Sequence, residues 1–147
     1  MEPRIILDTN ILLKVINKEP GHETVIEILD RVDSRSLKAV ISTITVAEVA
    51  VGYYTSGDTQ GLDNFIQLLY AKDGYTVREV TTEIAKQAAR IRSETGLRLP
   101  DAIIAATGVA TGASYIVTED KEFMKAAPII TSLTPDELLD TLKQITK

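Results

Sequence analysis

The sequence predicts an α/β domain, a mainly parallel sheet with helices on both faces. Three observations predict it. Short apolar, β-rich runs alternate with longer amphipathic stretches along the whole chain, as strand–helix–strand units require. Acidic residues stand directly after strand runs, where open parallel sheets bind their ligands. No repeat, low-complexity tract or linker interrupts the 147 residues, so one domain over 1–147 is expected. A chain of this length buries roughly 68–70% of its unfolded surface, enough for a sizeable core.

Arg4–Leu7, with its Ile5-Ile6-Leu7 run, reads as the first strand, and the apolar pattern resumes at once in a helix over Asn10–Asn17. Glu19-Pro20-Gly21 marks a turn before a helix over Glu23–Val32. Ala39–Ser42 reads as the second strand and runs into a helix over Val46–Tyr54. Ser56-Gly57-Asp58 separates that helix from one over Leu62–Ala71, and Asp73-Gly74 precedes a strand over Thr76–Glu79. Helices over Thr82–Glu94 and Asp101–Thr111 follow, with Pro100 suited to a first turn. Gly108 and Gly112 are assigned to close helix packing. Tyr115–Thr118 is the next strand, followed by a short polar turn, and Ile129–Thr131 is the last. Thr134-Pro135-Asp136-Glu137 is a capping box with proline in the first turn, which starts a helix over Pro135–Ile145.

Composition removes several function classes. There is no cysteine, hence no disulfide, thiolate metal site or cysteine nucleophile. The single histidine, His22, lies in a turn beside Gly21 and reads as surface, so triad, paired-histidine and HExxH chemistries are excluded. No glycine is followed by lysine, so there is no Walker A loop. The net charge of −5 lacks the basic footprint of a nucleic-acid binder, so such a partner must be held locally, through metal ions. The longest uncharged run, Ala102 to Val117, is shorter than the ~20 apolar residues that span a bilayer. The chain enters its first strand without a small-residue cleavage site, and a cytoplasmic protein with no membrane partner is expected. A receiver-like signalling domain is disfavoured, because Asp8 has no acidic neighbour and the Ala39–Ser42 strand ends without an acid.

What remains is carboxylate chemistry. Asp8 ends the first strand, where it serves either as a helix cap or as a metal ligand. Glu48 follows Thr45 by three, which makes Thr45-Val46-Ala47-Glu48 either a capping box or the setting of a functional acid. Asp101 is the only acid of an otherwise small and apolar helix and lies at its mouth. Asp120 stands just beyond the Tyr115–Thr118 strand, equivalent to Asp8 beyond the first, whereas Glu119 and Glu122 read as solvated loop. Several carboxylates in one place repel one another, and a hard divalent cation such as Mg²⁺ or Mn²⁺ removes that cost. Such an ion also activates water and clamps a phosphate, the chemistry of a phosphodiesterase.

In these motifs, "LDTNIL", "TVAEV", "LPDAIIAAT" and "IVTEDKEF", the whole chain resembles the PIN-domain family, in particular the toxin ribonucleases of VapC-type toxin–antitoxin pairs. The resemblance implies a three-layer α/β/α domain around a central, mainly parallel, five-stranded sheet. It implies that Asp8, Glu48, Asp101 and Asp120 are a catalytic quartet binding one or two Mg²⁺ or Mn²⁺ ions, with Asn10 and Thr118 orienting them. It also implies endonucleolytic hydrolysis of RNA by a metal-activated water, a homodimer, and an antitoxin that wraps the dimer and often places a basic residue in the acid pocket. The alternative is a PIN-fold scaffold without activity. Glu119, beside Asp120, departs from the family pattern by adding a negative charge. Lys86, Arg90, Arg92 and Arg98 are the basic candidates for RNA contact, with a solvated helical face the simpler assignment. Tyr53, Tyr54, Phe65 and Tyr70 are assigned mostly to core packing, with a dimer or antitoxin groove as the other role.

Overall fold

The computed structural model describes residues 2–145. Met1, Thr146 and Lys147, the ends of the domain expected over 1–147, lie outside the described residues. Five strands, β1 (Arg4–Leu7), β2 (Lys38–Ser42), β3 (Tyr75–Arg78), β4 (Tyr115–Val117) and β5 (Thr131–Leu133), form one sheet in the order β3-β2-β1-β4-β5. All four pairings are parallel. The helices are α1 (Thr9–Ile16), α2 (His22–Asp33), α3 (Thr43–Thr55), α4 (Thr59–Ala71), α5 (Thr82–Thr95), α6 (Leu99–Ala110) and α7 (Pro135–Ile145). None of the described helices is long and apolar enough to cross a membrane.

Strand side chains alternate between two cores, which makes three layers. Ile5, Leu7, Ala39, Ile41 and Val117 pack on one face against Ile11, Val25, Ile28, Leu138 and Leu142 of α1, α2 and α7. Ile6, Val40 and Ile116 pack on the other against Ile84, Ala88, Ile91 and the Ala102–Ala106 stretch of α5 and α6. The expected burial of the Asp101 helix is met, with Ile104, Ala105 and Ala106 fully inaccessible. At Gly108 a Cβ would stand 2.8 Å from Ile130 Cδ1 and 3.0 Å from Ile6 Cγ2, so α6 lies on β1 as closely as the packing assignment requires. Gly112 has a different reason: its φ is +74° and a Cβ would meet only Arg4 Nη1 at 3.7 Å, so the turn leaving α6, not packing, selects glycine.

Most element boundaries shift by one to three residues from the sequence reading, and three differences have a clear physical reason. The polar turn after β4 is a 3₁₀ helix, Lys121–Ala126, which the sequence hides because only Phe123 and Ala126 face inward. The last strand begins two residues later than Ile129–Thr131, because the amides of Ile129 and Ile130 still bond to the Ala126 carbonyl and close that turn. Helix α3 starts at Thr43 and is capped by Ser42, whose Oγ accepts from the Ile44 amide at 3.2 Å. Thr45 is therefore a buried helical residue and not a cap. The box predicted for α7 does form, with Glu137 N donating to Thr134 Oγ1 (3.2 Å) and Thr134 N to Glu137 Oε1 (2.9 Å).

β1 has β2 on one side and β4 on the other. The chain winds outward in opposite directions from that pair, and such a switch point leaves a crevice at the carboxyl ends of the strands. Asp8 and Thr118 are the first residues beyond β1 and β4.

Candidate functional site

Asp8 leaves β1 in extended conformation and is the N-cap of α1. Its Oδ1 accepts from the Thr9 amide at 2.8 Å, so the capping role is real, but its Oδ2 accepts from Thr118 Oγ1 at 2.7 Å across the sheet. Thr118, buried after β4, also accepts from the Asp120 amide at 2.9 Å and thereby ties the Asp120 turn to Asp8. Asn10 Nδ2 reaches the same hydroxyl at 3.5 Å, and Asn10 Oδ1 is buried without a partner. Thr118 thus bonds directly to Asp8 and to the Asp120 amide, and Asn10 reaches them only through Thr118. Asp120 itself caps the 3₁₀ helix through the Glu122 amide at 3.0 Å.

Glu48 stands on the second turn of α3 and takes no part in a capping box. Its Oε1 accepts from Thr9 Oγ1 at 2.6 Å, and Thr9 Oγ1 lies 3.1 Å from Thr45 Oγ1. Thr9 is a residue the sequence reading missed. It links the end of β1 to α3, and its only advance signal was its place between Asp8 and Asn10.

Asp101 lies in the first turn of α6, nearly inaccessible. Its Oδ2 accepts from Arg98 Nε (3.3 Å) and Nη2 (3.2 Å). The other basic candidates go elsewhere: Arg92 donates to the Gly96 and Leu97 carbonyls at the end of α5, and Lys86 pairs with Glu83 at 4.0 Å. Arg90 is exposed, so the solvated-face assignment suits it and Lys86. Glu119 bonds to Lys14 of α1, so the additional acid beside Asp120 is compensated outside the quartet.

Burial pushes the Asp8 carboxyl up to about 6; Thr118 and the Thr9 amide pull it down, and Asp101 and Glu48 push it further up. Asp101 is likewise raised by burial, partly offset by Arg98, with Asp120 and Glu48 adding repulsion. The four acids therefore share one field, brought together from β1, α3, α6 and the turn after β4. Among the described residues, no three acidic or histidine side chains stand close enough to hold one ion as placed. The chemistry of the set nevertheless fits a hard divalent cation: the donors are all oxygen, the negative charge exceeds its compensation, and Asn10 Oδ1 lacks a donor.

A second concave surface, about 530 Å³, lies between α1, α2 and α4, lined by Leu12, Ile16, Ile26, Leu29 and Phe65 among others. Tyr53 and Phe65 line it with ring centroids 6.3 Å apart. Tyr54 and Tyr70 do not pack in the core as expected; they are 65% and 68% exposed, because the outward faces of α3 and α4 have no covering layer.

The family model for the PIN domain matches residues 5–128. No curated protein sequence matches the chain. Among solved structures, a chain of DNA-bound VapBC from Salmonella typhimurium is similar with a TM-score of 0.71 and 22% identity, over 90% of this chain and 98% of that one. A chain of VapBC2 from Rickettsia felis, bound to a promoter DNA fragment, gives a TM-score of 0.70 and 20% identity over 89% and 98%. A chain of a toxin–antitoxin complex from Klebsiella pneumoniae gives 0.66 and 27% over 89% and 97%. With the all-parallel sheet, the acids at its switch point and a family model spanning most of its length, the chain belongs to the PIN-domain family.

Proposed function

We propose that this chain is a metal-dependent endoribonuclease and the toxin of a toxin–antitoxin pair. The observation that carries this reading is the shared field of Asp8, Glu48, Asp101 and Asp120, four acids on four separate segments at the carboxyl end of the sheet. Among the described residues only one cation, Arg98, pairs with any of them. These four side chains would hold one or two Mg²⁺ or Mn²⁺ ions, with Asn10 and Thr118 beside them. When bound, such an ion makes water a nucleophile near neutral pH and offsets charge on a phosphodiester. Thr118 fixes Asp8 and the Asp120 turn in register, and Thr9 fixes Glu48. The RNA substrate rests on the resemblance to VapC-type ribonucleases, and we place the protein in the cytoplasm, where that substrate is.

The antitoxin partner is supported by the likeness to chains of toxin–antitoxin complexes. We place an amphipathic antitoxin segment in the groove between α1, α2 and α4, whose lining carries Asp30, Asp33 and Asp58 against one cation, Lys72, paired with Asp33, and so favours a basic-edged helix. We place homodimer contacts on α3, where Ala47, Val51 and Tyr54 form an exposed stripe at helical spacing. A scaffold without turnover is the second reading, favoured by the spread of the acids as placed.

The test is cleavage of a mixed RNA pool by purified protein with Mn²⁺, with EDTA, and by Asp101→Asn prepared identically. The proposal expects products only from the unaltered protein with Mn²⁺. Absence of cleavage, together with no rise in melting temperature on adding Mn²⁺, would sink it and favour the scaffold.

A further inference from the structure

Arg98 breaks a local rule. It is the N-cap of α6, a position that favours Ser, Thr, Asp or Asn, and it makes no side-chain cap. A cation there also faces the positive end of the helix dipole. Proteins concentrate such violations at functional sites, and the return here is an ion pair with Asp101 three residues on. The Arg98 side chain is 71% exposed, whereas the Asp101 side chain it contacts is 8% exposed, so Arg98 lies over the acid pocket from the solvent side. Both of its bonds converge on Asp101 Oδ2, at 3.2 and 3.3 Å, instead of forming the parallel two-oxygen fork of a tight arginine–carboxylate pair. Asp101 Oδ1 has no hydrogen-bond donor among the described residues. The same guanidinium feels Asp120 and Glu48.

We propose that Arg98 is an exchangeable counter-cation of the acid pocket: it holds Asp101 while no divalent ion is bound, gives way to the ion, and then presents its guanidinium to a substrate phosphate. The inference rests on the metal-site reading above. A chain of net charge −5 needs a local cation to receive a polyanion, and Arg98 is the basic candidate that touches the acids. Its long, single-oxygen contact is the kind that an incoming ion displaces at small cost. Because it lies at the mouth, a small rotation about its side chain carries the guanidinium from carboxylate to solvent without moving α6.

The test is Mn²⁺ titration by calorimetry of the full chain, of Arg98→Gln and of Arg98→Lys. Competition predicts that Arg98→Gln binds Mn²⁺ roughly three- to tenfold more tightly than the unaltered protein, because one positive charge leaves the pocket mouth. Arg98→Lys, which keeps the charge, should stay within about twofold of the unaltered protein. Equal or weaker binding by Arg98→Gln would overturn the exchange. No Mn²⁺ binding by the unaltered protein would overturn the metal-site reading, and this inference with it. The phosphate role is read separately, by anisotropy of a labelled single-stranded RNA 20-mer with Ca²⁺ in place of Mn²⁺ to prevent turnover. Arg98→Gln should lower the slope of log affinity against log salt by about 0.7, the loss of one phosphate contact to a single strand. An unchanged slope would remove the phosphate role.

Discussion

Asp8 answers to two demands at once, and the conflict is measurable. Its side chain caps α1 and also feels two other acids, Asp101 and Glu48, in a place where burial pushes its carboxyl from the usual 3.8 up to about 6. Between those values the folded chain binds a proton that the unfolded chain does not, so stability falls as pH rises across the window. Above it, ionised Asp8 is a net cost, with a ceiling of roughly 3 kcal/mol. Asp8→Asn should therefore raise the unfolding free energy in EDTA at pH 7.5 by about 1–3 kcal/mol, less than the ceiling because the amide serves the Thr9 and Thr118 donors less well. Urea unfolding of both proteins at pH 7.5 and pH 4 measures this, and the gain should shrink at the lower pH. A loss of stability at pH 7.5 would mean that the cap dominates. Asp8, Asp101 and Asp120 were legible from their positions at strand ends and a helix mouth. Thr9 was not, because a threonine between an aspartate and an asparagine gives no sign that it will reach 39 residues along the chain to Glu48.

Two Thr-x-x-Glu stretches met different fates, and the difference lies in what surrounds them. Thr134 and Glu137 are at an exposed helix start, where each side chain is free to satisfy the other's amide. Thr45 is fully buried, because Ser42 at the end of β2 caps α3 first, and Glu48 is left to bond with Thr9. Pattern alone does not separate these cases; strand-end geometry does. Helix α6 shows the reverse, since its small residues announce close packing and the sheet confirms it. Gly108→Val would drive methyl groups into Ile130 and Ile6. We expect a loss of about 1–3 kcal/mol in urea unfolding. We also expect weaker Mn²⁺ binding, because Asp101 rides on the displaced helix. Unchanged stability would show that α6 is free to lift off β1, contrary to the packing described.

The order β3-β2-β1-β4-β5 explains why residues 8, 48, 101 and 120 come to one end of the sheet, although the chain separates them by up to 112 positions. The alternation of strands and helices announced the layers, and the motifs announced the family. What the sequence concealed was the counter-charge of Lys14 on Glu119, a juxtaposition that only the folded sheet creates, whereas Arg98 on Asp101 is a local pair three residues apart at the start of α6. With those cations in place the net charge of −5 is not spread evenly, and the acid pocket keeps an excess that a divalent ion would remove. The most direct measurement is Mn²⁺ affinity by calorimetry for the unaltered chain and for Asp8→Asn, Glu48→Gln, Asp101→Asn and Asp120→Asn, each confirmed as folded by its cooperative unfolding. A shared site predicts that every one of the four weakens binding at least about tenfold, since each removes a charged oxygen ligand. If any of the four binds Mn²⁺ as tightly as the unaltered protein, that acid lies outside the site; if all four do, there is no such site.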